Sequence, residues 1–147
     1  ASRRLPYLTL SWVLVGLWAV FALTLGALPL WGMYGLFFAM GLSGASFVLT
    51  WPMGREVNPP HLAGVAVAVV NLGGFLGVSL TQGMVGALLD SRWTGAMIGG
   101  ARVYPLEAYQ AAFRVCSGFV LATALLAFLI RETRCRNIYH ELFPATR

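Results

Sequence analysis

The chain has 147 residues, of which 59% are apolar and only 10% charged, and its formal net charge is +5. Soluble domains run near 45 to 50% apolar and about 25% charged, so this composition excludes an ordinary water-soluble domain and points to a membrane protein. The basic balance does not indicate nucleic acid, because that function needs a basic face with accessible aromatics, whereas here all ten basic residues are Arg and they flank long apolar runs.

Arg3 and Arg4 precede the first apolar run, which mimics a signal peptide but is too long for one and ends in no small-residue cleavage pattern. That run reads as a span, and Ala1 in place of Met points to sequence upstream. From Leu5 to Gly54 there is no Asp, Glu, Lys, Arg or His. As one helix this stretch would cover roughly 75 Å at 1.5 Å per residue, so it must fold back. Gly26-Ala27-Leu28-Pro29 is the expected turn, since Pro removes a donor and restricts the residue before it. A first helix over residues 7–25 and a second over 31–53 follow, with Trp31, Tyr34 and Trp51 placed for the aromatic belts of the two interfaces.

Residues 55–61 are the most polar stretch of the first half and read as a helix start, with Asn58 as cap, Pro59 at the first helical position and Glu56 near the positive dipole end. The third helix is expected over 62–89, ahead of Asp90. Residues 90–109 mix Gly, Pro, Arg and acidic residues as an extramembrane loop does, and a fourth helix over 111–130 is closed by Arg131. The expected fold is therefore an all-α membrane protein, a single membrane domain of four transmembrane helices with a tail over 131–147. Seven Arg residues (Arg3, Arg4, Arg55, Arg131, Arg134, Arg136, Arg147) lie on one side and three (Arg92, Arg102, Arg114) on the other. Basic residues concentrate in the cytoplasm, so both ends of this segment are expected inside, in a cell or inner membrane.

Within the spans the informative residues are small or carry amides. Gly41, Gly44 and Ala45 in the second helix and Gly73, Gly74, Gly77, Gly83 and Gly86 in the third allow close backbone approach, and Gly73 with Gly77 forms a G-x-x-x-G. Such faces serve packing, or the sliding of helices in a transport cycle. Asn71 and Gln82 are the carboxamides well inside a span, and an amide in hydrocarbon without a partner costs several kcal/mol. Their separation of about three turns sets both on nearly one face, with Ser79 close by. They suit interhelical hydrogen bonds and a polar pathway equally well. Ser43, Ser46 and Thr50 are weaker candidates, since a hydroxyl can satisfy itself on the preceding turn.

Gly41-Leu42-Ser43-Gly44 matches the G-x-S-G of rhomboid-type intramembrane serine proteases, but His61, the nearest histidine, falls at the membrane surface, on another level from Ser43. An enzyme is therefore not expected. A four-helix exporter needs an ionisable group at mid-membrane, and no Asp or Glu lies within the four expected spans. Cys116 and Cys135 are too few and too far apart for a zinc site, and neither a metal nor another cofactor is expected.

Residues 55–60 (Arg-Glu-Val-Asn-Pro-Pro), then Ala63-Gly64, then 70–77 (Val-Asn-Leu-Gly-Gly-Phe-Leu-Gly), and finally Gly86-Ala87-Leu88-Leu89-Asp90 resemble the end of a major facilitator superfamily transporter. The resemblance covers nearly the whole chain and matches its spans to the ninth to twelfth helices of that family, with a cytoplasmic C-terminus. It implies a C-terminal fragment of a secondary transporter, moving a small solute by alternating access, with or without a coupling ion. The remaining N-terminal helices of the same transporter and membrane lipid are then its partners. It further implies that the second and third helices line the cavity while the first and fourth are peripheral supports, that Asn71, Gln82, Ser79 and Ser43 face the substrate, and that Arg55, Glu56, Asn58 and Pro59 form a cytoplasmic gate and loop, the alternative for Arg55 and Glu56 being a solvated pair of little energetic weight. The alternative is a small membrane adaptor or an oligomeric exporter.

Overall fold

The computed structural model describes residues 1–144. Four helical segments are long and apolar enough to cross a membrane: Arg4–Thr24, Leu30–Glu56, Pro60–Asp90 and Leu106–Leu129. Large apolar side chains such as Leu23, Trp31, Phe38, Phe75, Leu80 and Leu129 are exposed along them, an arrangement that suits lipid and would promote aggregation in water.

Helix α1 (Arg4–Thr24) begins where the Leu5 amide donates to the Ser2 hydroxyl at 3.1 Å. It ends at the expected turn. Gly26 takes φ +94°, the left-handed conformation that closes a helix, and a Cβ there would lie 2.8 Å from the Leu106 side chain. Pro29 then precedes α2 (Leu30–Gly44).

The second span departs from the continuous helix expected over 31–53. It tightens into a 3-10 segment at Ala45–Leu49 and resumes as α3 (Thr50–Glu56). Pro52 accounts for the break, because its ring cannot donate to the carbonyl of residue 48 and crowds it. Helical structure also runs past residue 53, so Arg55 and Glu56 close a helix instead of lying in a loop.

Asn58 does not cap the following helix. Its amide donates back to the Gly54 carbonyl at 2.7 Å and finishes α3, while Pro60–Leu62 form a 3-10 turn that leads into α4 (Ala63–Asp90). The stretch expected as a loop over 90–109 contributes the only strands among the described residues, β1 (Met97–Ile98) and β2 (Ala101–Arg102), which add a small hairpin to the all-α expectation. Helix α5 (Leu106–Leu126) starts five residues ahead of expectation, after Pro105, with Glu107 favourably placed in its first turn. Tertiary packing explains the extension: Ala108 and Ala112 are fully buried, and the Gln110 amide donates to the Leu25 carbonyl at 3.4 Å. A 3-10 turn at Ala127–Leu129 completes the last span, and a short α6 (Tyr139–Leu142) lies in the tail. Arg147, and with it the end of the tail over 145–147, falls outside the described residues.

Helix α1 packs against α2 and α5, while α4 packs against α3 and α5. The centre is aromatic: Phe21 is buried, with its ring centroid 4.8 Å from that of Phe113 and 5.2 Å from that of Phe37. Ala108, Ala112, Cys116 and Ala124 recur at multiples of four along α5 and are buried, so a small-residue stripe lets helices approach closely without any water to expel. No residue of α4 is buried.

Candidate functional site

The side of α4 turned towards α1 and α5 borders an open groove of about 530 Å³. Tyr7, Thr50, Thr81, Gln82 and Thr123 bring polar groups to it, and Gly73, Gly74 and Gly77 lie along its α4 wall. Tyr7, Phe47, Thr81 and Thr123 also border an inner cavity of about 340 Å³ that reaches Ser11, Ser46 and Cys116. Thr50 and Val70 also border a third cavity of about 400 Å³, whose lining includes Thr133 and Leu142 of the tail. The groove thus shares lining residues with each of the two cavities, and polar side chains border all three among helices that are otherwise apolar.

Local hydrogen bonding explains how these helices tolerate so many hydroxyls. Ser11 donates to the Tyr7 carbonyl at 2.7 Å, Thr50 to Phe47 at 2.6 Å, Thr81 to Gly77 at 2.6 Å and Thr123 to Phe119 at 2.9 Å. Each proton is satisfied on the preceding turn, which leaves oxygen lone pairs to accept from a ligand. The groove lining holds neither a carboxylate nor a guanidinium, so its chemistry is that of neutral hydrogen-bonding groups, the threonine oxygens as acceptors and the Tyr7 hydroxyl and Gln82 amide as donors or acceptors, beside aromatic and aliphatic faces.

The residues singled out from sequence separate in space. Asn71 accepts a hydrogen bond from the Trp51 indole at 3.0 Å and so ties α4 to α3. Gln82 is exposed and borders the groove, whereas Ser79 is exposed but borders none of the cavities described above. Ser43 is buried at the end of α2, and it is Ser46 that reaches the inner cavity. His61 is exposed in the turn ahead of α4. Where the second and third spans face each other, the glycines that meet a partner are Gly54, where a Cβ would lie 3.1 Å from Val70, and Gly74, where one would lie 3.0 Å from Phe47. Gly41, Gly73 and Gly77 have open space at the Cβ position, so among the described residues no neighbouring helix packs on them.

At the Arg-rich end, Glu56 is 8% exposed and gathers three parts of the chain. Its Oε1 pairs with Arg3 Nε at 2.7 Å, its Oε2 accepts from the Thr133 hydroxyl at 2.5 Å, and its backbone carbonyl accepts from the Ile138 amide at 2.8 Å. Asn137 adds two bonds, donating to the carbonyls of Arg55 at 3.0 Å and Asn58 at 2.8 Å. The hydrogen bond to Glu56 pushes the Arg3 guanidinium pKa above its ordinary value, with burial acting against it. Arg55 itself is exposed, so the ionic partner of Glu56 is Arg3 and not its sequence neighbour. Pro59 stands ahead of the 3-10 turn with an extended backbone.

Sequence reasoning passed over Arg3, Thr133 and Asn137, which no local pattern links to Glu56. Tyr7 with Ser11, one turn apart, and Thr81 beside Gln82 were visible as polar residues in apolar runs, and that was the available signal. No known family, curated protein or solved structure matches the chain significantly.

Proposed function

We propose that this chain is the C-terminal part of a major facilitator-type secondary transporter that moves a small solute across the cell or inner membrane by alternating access. On this reading the four spans correspond to the ninth to twelfth helices, both ends of the segment are cytoplasmic, and the missing partners are the N-terminal helices of the same carrier. The observation that supports it best is the groove beside α4. A 28-residue helix without one buried residue carries Gln82 and Thr81 on the same groove as Gly73 and Gly77. Hydrocarbon is a poor neighbour for an amide, so this wall suits further protein and a watery passage better than lipid.

The Glu56 clamp fits the same reading as a cytoplasmic gate. Ion pairs and hydrogen bonds that exist in one state and break in another bias the balance between inward-open and outward-open forms by their own free energy. Glu56 joins α1, α3 and the tail through contacts that a rocking motion would separate.

The test is solute uptake by cells expressing the full gene product, with Thr81→Val and Gln82→Leu as variants. Reduced uptake at unchanged membrane abundance is expected. Unchanged uptake would remove the groove from the pathway, and a gene encoding these four spans alone would overturn the transporter reading in favour of a small adaptor or oligomeric exporter.

A further inference from the structure

Between α4 and α5 the chain has only residues 91–105, and it spends them on the hairpin. Gly99 and Gly100 have φ of +57° and +82°, as the two-residue turn matching strand twist requires. The register pairs Met97 with Arg102 and Ile98 with Ala101, and the Val103 amide donates to the Ala96 carbonyl at 3.0 Å. Directly paired residues share a face and successive residues alternate. One face therefore carries Ala96, Ile98, Ala101 and Val103, all apolar, and the other carries Met97 and Arg102.

The polar face is tied down. The Arg102 guanidinium lies 4.7 Å above the Trp93 ring and 2.8 Å from Asp90 Oδ1, which also accepts from the Tyr104 hydroxyl at 2.6 Å. The Trp93 indole donates to the Ala96 carbonyl at 2.9 Å. Hydrogen bonding to Asp90 holds both the Arg102 and Tyr104 pKa values above normal. Because Asp90 is the last residue of α4, these contacts keep the hairpin at the level of the helix end instead of letting it project outwards.

The apolar face is open at its tip and partly covered at its base among the described residues: Ile98 is 72% exposed, whereas Val103 keeps 38%. From Thr94 to Ala101 there is no charged residue. An isolated two-stranded hairpin is marginal in water, and this one turns its apolar face outwards between two helices whose own apolar surfaces suit lipid.

We propose that the hairpin is a membrane-interface anchor: the face formed by Ala96, Ile98, Ala101 and Val103 rests in the lipid headgroup and upper acyl region, while Trp93, Arg102 and Tyr104 pin it to the end of α4. Lipid is favoured as the occupant by continuity, because the loop leaves and re-enters the apolar spans within fifteen residues, and by chemistry, because Trp and Tyr concentrate at that depth. The proposal does not depend on the transport reading.

The experiment uses the whole chain in phosphatidylcholine–phosphatidylglycerol liposomes, with Cys135→Ser removing the exposed thiol and Cys116 left buried. An environment-sensitive fluorophore is placed at Ile98→Cys, and in a second variant at Met97→Cys on the opposite face. Both sites are exposed, so the label does not threaten folding. The Cys135→Ser chain alone should take up no label, and Cys116→Ser is added if it does. At Ile98 the expected emission is blue-shifted, quenched by lipids carrying a nitroxide near the headgroup and protected from aqueous iodide; at Met97 iodide quenches and the nitroxide lipid does not. Iodide quenching at Ile98 equal to that at Met97 overturns the proposal. So does protection of Ile98 from both quenchers, which would mean that a second copy or another protein covers the face.

Discussion

Helices α5 and α4 have similar hydropathy and unlike duties. Along α5 the buried residues are all small, Ala108 and Ala112 fully enclosed, with Cys116 and Ala124 beyond them and Phe113 beside them at the aromatic centre. Helix α4 is longer, richer in glycine and without a single buried residue. Glycine density alone is therefore not a packing signal in this protein. Alanine at spacings of four holds α5 in place, whereas much of the glycine of α4 lies open beside a polar groove.

The contrast breaks most readily at Ala112. Ala112→Leu forces a larger side chain into a filled site and should cost about 1–3 kcal/mol, read as a lower thermal midpoint of the purified chain in detergent. Gly77→Ala, on the open wall of α4, should leave that midpoint unchanged or slightly raised, since alanine is the better helix former by about 0.5–1 kcal/mol. Equal losses in the two variants would show that the wall of α4 is covered after all.

A comparable effect is expected at the clamp. Glu56→Gln leaves Arg3 and Thr133 facing a neutral amide, and the loss of charged hydrogen bonds should cost roughly 1.5–3 kcal/mol. Limited proteolysis between Arg131 and Leu142 would report it, with cleavage accelerated because the tail releases first. Arg55→Gln, at an exposed site, should leave cleavage unchanged.

Asn71→Leu tests the link between α3 and α4. It removes the acceptor of the Trp51 indole and should cost about 0.6 kcal/mol, the average for hydrogen bonds between membrane helices, and at most about 1.7 kcal/mol, with a change in tryptophan emission as the readout.

The smallest effect belongs to pH. The Glu132 carboxyl lies below its ordinary pKa, chiefly because the Ser2 hydroxyl donates to it and secondarily because the Arg134 amide does. A depressed folded pKa adds stability above the ordinary glutamate range and loses it as pH falls through the lowered value. Tail release by proteolysis should therefore rise on acidification below that range, and Ser2→Ala should weaken the pH dependence.

Four apolar runs, the turn at Gly26 to Pro29 and the extent of α4 to within a residue could be read from the amino acids, because lipid-scale length and proline are local constraints on the backbone. The start signal assigned to Asn58 and Pro59 was not the one used, since Asn58 bonds back to Gly54 and a 3-10 turn intervenes. The 3-10 segment ahead of Pro52 was equally local but was hidden inside a run of uniform hydropathy. The early start of α5 was not local. Ala108 becomes helical in company with α1, and hydropathy carries no record of that neighbour.

Composition and the order of apolar stretches decided that this chain forms four helices of membrane-spanning length, since no other arrangement disposes of so much uncharged sequence. Side-chain partnership was settled only in three dimensions. Glu56 takes Arg3, 53 residues away, and Thr133, 77 residues away, in preference to the adjacent Arg55. Successive residues on a helix point about 100° apart, so a neighbour in sequence faces elsewhere, and a buried carboxylate is satisfied by whichever donor the packing of distant segments delivers to it.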